Sequence, residues 1–146
     1  MKLEPLFTAK DNKLYKIDDN TQVDTATLTQ IQIPWTTVEM EDEMYNEEFL
    51  ATLRDQLKKM EDMKKFAVLI PVVDKPLNTP EAEELFINAF NHTARRIKDC
   101  ISVVGFELPK ELINFQNFID TLAIKHEQYI YFTKAEKAPN CSIVMY

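Results

Sequence analysis

A single glycine, Gly105, stands in 146 residues, and its isolation restricts the chemistry available to the chain. Phosphate-cradling loops of the P-loop and dinucleotide-binding types need several glycines for close backbone approach, so nucleotide chemistry of those two kinds is excluded. Cysteine is scarce too: Cys100 and Cys141 form neither a metal-binding spacing nor a disulfide framework. No apolar run reaches the ~18 residues that span a bilayer, and the opening MKLEPLFTAKDNK lacks the apolar core of a secretory signal. Positive charge is in deficit, with 17 Lys and Arg against 24 Asp and Glu, a net charge of −7. That balance argues against a nucleic-acid backbone or an anionic membrane as partner. The expectation is a reduced, cytoplasmic protein with no cofactor and no metal.

Repeats, low-complexity tracts and long linkers are also missing, so residues 1–146 are expected to form one domain. Residues 1–13 are polar and weakly patterned and are expected as a loosely ordered arm. LYKI (14–17) suits a short strand. In LTQIQIPW (28–35), Leu28, Gln30 and Gln32 alternate with Thr29, Ile31 and Ile33, a second strand limited by Pro34. Phe49, Leu50, Leu53, Leu57 and Met60 then share one helical face, with Asn46 placed as N-cap. FAVLIPVV (66–73) and ISVVGFEL (101–108) are nearly all apolar, as strands covered on both faces are. Thr79-Pro80 opens the helix between them, and Pro109 is expected to open another with Leu112, Phe115, Ile119, Leu122 and His126 as its stripe. YIYF (129–132) and SIVMY (142–146) read as two further strands.

The order β-β-α-β-α-β-α-β-β predicts an α/β fold with a mostly parallel central sheet and flanking helices. Right-handed crossovers bring the C-terminal strand ends to one rim, after Trp35, Val73 and Leu108, where ligands bind in both open sheets and barrels. Trp35, Glu39, Asp74, Glu107 and Lys110 are the candidate ligand-binding residues on it, the indole of Trp35 offering a stacking face. Six carboxylates crowd residues 39–48. Hard cations favour such oxygens, but the spacing is not that of an EF-hand, and a helix N-terminus attracts carboxylates by its dipole. His92, followed by Arg95 and Arg96, reads as a solvated helix face.

Residues 28–112 resemble the middle strands of cellulase-type glycoside hydrolases of family five. IQIPW is similar to that family's second-strand Val-Arg-Ile-Pro, and EEFLATLRDQLKKMEDMKKFAVLIPVVD to the helix and third strand that follow. SVVGFELPKEL falls on the fourth-strand signature, roughly Val-Ile-Gly-Phe-Glu-Leu-Leu-Asn-Glu-Pro. The resemblance implies a half-barrel-like architecture and gives Glu111 the position of the general acid. It also marks departures: Gln32 for arginine, Val72 and Val73 for strand-end histidines, and Lys110 for the asparagine that binds the sugar 2-hydroxyl. Retaining hydrolysis needs a second carboxylate about 5 Å from the first, supplied in this family by the seventh strand. A full barrel takes roughly 250 residues, and this chain is shorter. A STAS-type domain is a looser alternative, supported by the order of elements alone.

These readings lead to a non-catalytic interaction or ligand-binding domain that associates with itself or with a protein partner. The ligand reading extends to a small molecule or sugar. The alternative is a degenerate carbohydrate-active protein with Glu111 as residual acid.

Overall fold

A computed structural model describes residues 4–146. Its centre is a parallel sheet of β3 (Thr29–Pro34), β6 (Ala67–Val72), β7 (Val103–Glu107), β8 (Ile130–Thr133) and β9 (Ile143–Met145), in that spatial order. Strands that follow each other in the chain are neighbours in the sheet. Helices α2 (Glu47–Asp62), α3 (Pro80–Arg96) and α4 (Phe115–Ala123) connect the first four of these strands. Between the two architectures left open by the sequence, this winding is that of a barrel, stopped short of closure. Among the described residues no helix is long and apolar enough to cross a membrane.

The helices pack on one face of the sheet. Leu50, Leu53 and Leu57 of α2, Phe86 and Phe90 of α3, and Phe118 and Leu122 of α4 are buried against Ile33, Leu69, Phe106 and Tyr131. Expected caps hold two of them: Asn46 accepts from the Phe49 amide and Thr79 from the Ala82 amide, with Pro80 first in α3. The third helix differs from expectation. It begins at Phe115 rather than at Pro109, because Asn114 caps it by accepting from the Asn117 amide. Glu83 of α3 accepts the Asn114 amide at 2.9 Å and fixes that start. Pro109 is left to a single turn closed by the Leu112 amide.

The opposite face carries a smaller core of Leu28, Val68, Val104, Phe132 and Val144. An antiparallel hairpin of β1 (Phe7–Lys10) and β2 (Lys13–Lys16) covers it with Phe7 and Leu14. Part of the segment expected as a loose arm is therefore a strand; its residues 1–3 lie outside the described residues. Asp11 and Asn12, with φ of 51° and 63°, make the tight two-residue turn that such a hairpin favours.

Two further irregularities have local causes. The β6–β7 ladder shifts register after Ala67↔Val103, so that Val68 pairs with Gly105 and Val104 is the extra residue. Pro71 lies within β6, yet the Ala67 amide, four residues earlier, faces β7 by donating to Ser102 O. Strand alternation turns position 71 the same way, beyond the last paired residue Leu69, so the missing proline amide leaves no ladder bond unmade. After β3 the chain adds a short α1 (Trp35–Val38) and a small hairpin of β4 (Glu39–Glu41) and β5 (Met44–Tyr45).

Candidate functional site

The C-terminal strand ends do meet on one rim, and the expected residues divide there into three groups. Trp35, Glu39 and Asp74 come together beyond β3 and β6. The Trp35 indole N–H donates to Glu39 Oε1 at 2.9 Å, and the Glu43 amide donates to Glu39 Oε2 at 2.9 Å. Lys75 stands 3.7 Å from the same carboxylate, with its ammonium 4.2 Å from the Trp35 ring centre. Asp74 accepts from the Thr36 amide and hydroxyl.

Burial gives Trp35 and Glu39 a structural character, while Asp74 is exposed. Trp35 and Glu39 are each 1% exposed, and the edge-to-face contact of Trp35 with Phe86 inserts the indole into the core. A stacking face for a ligand was expected at Trp35; its ring instead lies between Phe86 and the Lys75 ammonium. The acidic run is likewise dispersed. Glu47 accepts from or pairs with His92 at 2.7 Å, and His92 stacks on Tyr45 at 4.2 Å between ring centres. Burial and the nearby Glu39 carboxylate raise the pKa of the Tyr45 phenol.

The second group was visible to local pattern only in Glu107. Glu107, at the end of β7, accepts the Tyr146 hydroxyl at 2.5 Å and lies 3.5 Å from Lys134 Nζ. Lys134 also donates to Gln30 Oε1 at 2.9 Å and lies over the Tyr146 ring. Burial, and then donation to the carboxylate, push the Tyr146 phenol pKa well above its ordinary value. Gln30, Glu107, Lys134 and Tyr146 thus form a polar knot across the hairpin-covered face of the sheet, with Glu107, Lys134 and Tyr146 at C-terminal strand ends and Gln30 at the second residue of β3. Of the four, only Glu107 was expected. The position of Lys134, immediately after β8, is the signal that could have found it.

Lys110 and Glu111 make the third group. Both are exposed on the turn between Pro109 and Leu112, and among the described residues neither has a side-chain partner. The later start of α4 removes Glu111 from any first helical turn. Among the described residues no second carboxylate is in contact with Glu107, whose neighbours are a cation and a phenol.

Five sequential parallel strands with helices on one face define the chain as a partial β/α barrel. No family model and no curated protein matches it. Solved structures do. Endo-glycoceramidase II from Rhodococcus sp., a family five glycoside hydrolase, is similar at a TM-score of 0.59 and 14% identity, over 86% of this chain and 46% of that one. The same enzyme in a cellobiose-like imidazole complex is similar at a TM-score of 0.59 and 13% identity, over 75% and 42%. The chain spans less than half the length of these structures. The partial family-five resemblance of residues 28–112 is therefore one of fold.

Proposed function

We propose that the chain is a non-catalytic domain on a partial glycosidase-type barrel frame, acting through protein contacts and associating with itself. The filling of its inner face carries this reading. Phe7 and Leu14 cover the apolar layer, and above them Lys134 ties Glu107 to Gln30. Barrel enzymes hold substrate at that C-terminal mouth, and here the chain's own side chains occupy it. Retaining hydrolysis also takes two carboxylates about 5 Å apart, whereas Glu107 is matched with Lys134 and Tyr146. Incubation with a broad panel of aryl glycosides is expected to give no turnover, and Glu111→Gln no change. Turnover by the purified chain would overturn the reading.

The fold likeness to endo-glycoceramidase II, with Glu111 exposed on the corresponding rim, supports a second reading. In it the chain is a degenerate carbohydrate-active protein with Glu111 as general acid, and Asp74, Glu107 and Lys110 meet a small ligand. This reading requires glycoside cleavage that Glu111→Gln abolishes. A weaker, ligand-only version requires thermal stabilisation by sugars.

A further inference from the structure

The two edges of the sheet differ in one respect: β9 is sealed and β3 is open. At β9 the Ile143 carbonyl accepts from Asn12 Nδ2 at 2.7 Å, and the Met145 amide donates to the Asn12 carbonyl at 3.0 Å. The Ile143 amide turns back to Asn140. At β3 the Thr29 amide donates to Phe66 O at 2.9 Å. In a parallel ladder that turns Thr29, Ile31 and Ile33 toward β6, and Gln30, Gln32 and Pro34 outward. Among the described residues, the outward amides and carbonyls of Gln30 and Gln32 have no partner.

Natural edge strands are protected by charge, by proline, by bulges or by shortness, and β3 has of these only Pro34, at its last residue. Six-residue β3 matches β6 in length, and its pairing runs without a break. It also lies within fourteen consecutive uncharged residues, 25–38, the longest such stretch in the chain.

We propose that this edge pairs with β3 of a second copy, antiparallel about a twofold axis opposite Ile31. The proposal rests on the self-associating reading above and names its surface. Charge selects the occupant. Two chains of net charge −7 repel each other over most of their surfaces, but the strand itself carries no charge, and the Lys134 ammonium held at Gln30 is positive. The register follows from the donors that remain. The Leu28 amide is already given to Thr25 O at 3.1 Å, and Pro34 has no amide. Pairing Gln30 with Gln30 would set Gln32 opposite Leu28, and pairing Gln32 with Gln32 would set Gln30 opposite Pro34. Pairing Gln30 with the partner's Gln32 avoids both losses and makes four main-chain hydrogen bonds. Closure into a barrel by head-to-tail pairing is blocked, because Asn12 occupies the other edge.

Sedimentation equilibrium from low to several hundred micromolar, with amide hydrogen exchange on the same samples, tests this. The expected result is a dimer whose Gln30 and Gln32 amides gain protection as it forms. Gln32→Pro deletes an outward donor from each copy and leaves the β6 ladder whole. It is expected to weaken the dimer roughly 30-fold with the monomer still folded. Gln32→Lys serves as a second variant, weakening it most at low salt. A dimer with unprotected Gln30 and Gln32 amides would overturn the surface while leaving self-association standing. A monomer at all concentrations would overturn both. Protection that appears only when a (Thr-Val)4 peptide is added would assign the edge to a foreign strand and overturn the second copy. Glycoside turnover, measured separately, bears on the non-catalytic reading alone.

Discussion

Lys134, following β8, donates to Gln30 of β3, although the two strands lie three steps apart in the sheet and the residues 104 positions apart in the chain. At about 4.8 Å a step the strands are separated by about 14 Å across the sheet, and the register, which sets Ile130 level with Gln30, places Lys134 about 13 Å further along, so that a flat sheet would hold the two side chains out of reach. Their meeting, with Tyr146 and Glu107 between them, is what a curved, half-barrel sheet allows.

Within the knot, Tyr146 and Lys134 are expected to differ. The Tyr146 hydroxyl donates to a mostly buried carboxylate, so Tyr146→Phe should cost about 1–2 kcal/mol. Lys134 is half exposed, and Lys134→Met should cost under about 1 kcal/mol, less at high salt. Urea unfolding of both variants at low and high ionic strength measures this. Equal costs would mean that the cation holds the mouth closed as firmly as the phenol does.

Glu39 gives a larger effect. Glu39→Leu leaves the Trp35 indole N–H and the Glu43 amide without an acceptor in a buried place, and leaves Lys75 without its carboxylate. The expected loss is about 2–4 kcal/mol, with a shift in Trp35 fluorescence. Glu39→Gln keeps an acceptor and should lose less.

The parallel sheet and the helices on its face were legible because FAVLIPVV, ISVVGFEL and the Leu50-Leu53-Leu57 stripe carry their periods in contiguous residues. The hairpin of β1 and β2 was legible only in LYKI, expected as a strand. FTAK gives Phe7 to the core with Ala9 packed against it, and the signal that pairs it with KLYK is the Asp11-Asn12 turn. Pro109 misled for a different reason: a proline suits the start of a helix, but Asn114 supplies a real cap and a bond to Glu83 five residues later. Trp35 was placed at the right strand end, while its burial depends on Phe86 of α3, a contact no local pattern encodes. The same holds for Lys134, whose partners come from β3, β7 and the C-terminus.

Gly105 needs neither a turn nor a positive φ; it is needed for close approach. A Cβ built on it would lie 1.6 Å from the Ile130 carbonyl oxygen, which is backbone of β8 and cannot swing aside. Gly105→Ala should therefore force β7 and β8 apart beside the bulge at Val104 and cost about 3 kcal/mol or more. Thermal and urea midpoints check it. A near-neutral variant would mean that the bulge can migrate along β7.

Alkaline pH is expected to destabilise the fold before mild acid does. Burial pushes the Cys100 thiol from 9.0 up to about 11, with Asp99 adding to the rise. Desolvation also raises the phenols of Tyr129, Tyr131 and Tyr146 above 10.0. A group whose pKa is raised on folding contributes stability in full below its unfolded value and loses it as pH climbs through the folded one. Stability should thus hold up to about pH 9, the ordinary thiol value, and fall progressively from there as the unfolded chain releases protons that the folded one retains. Cys100→Ala should remove the earliest part of that fall. Thiol labelling at neutral pH supplies an independent check. Exposed Cys141 should react at once and buried Cys100 only on unfolding, so that Cys141→Ser leaves no fast thiol. Rapid labelling of Cys100 in the folded protein would show that the N-terminal end of β7 opens, and would remove the desolvation on which the pH argument depends.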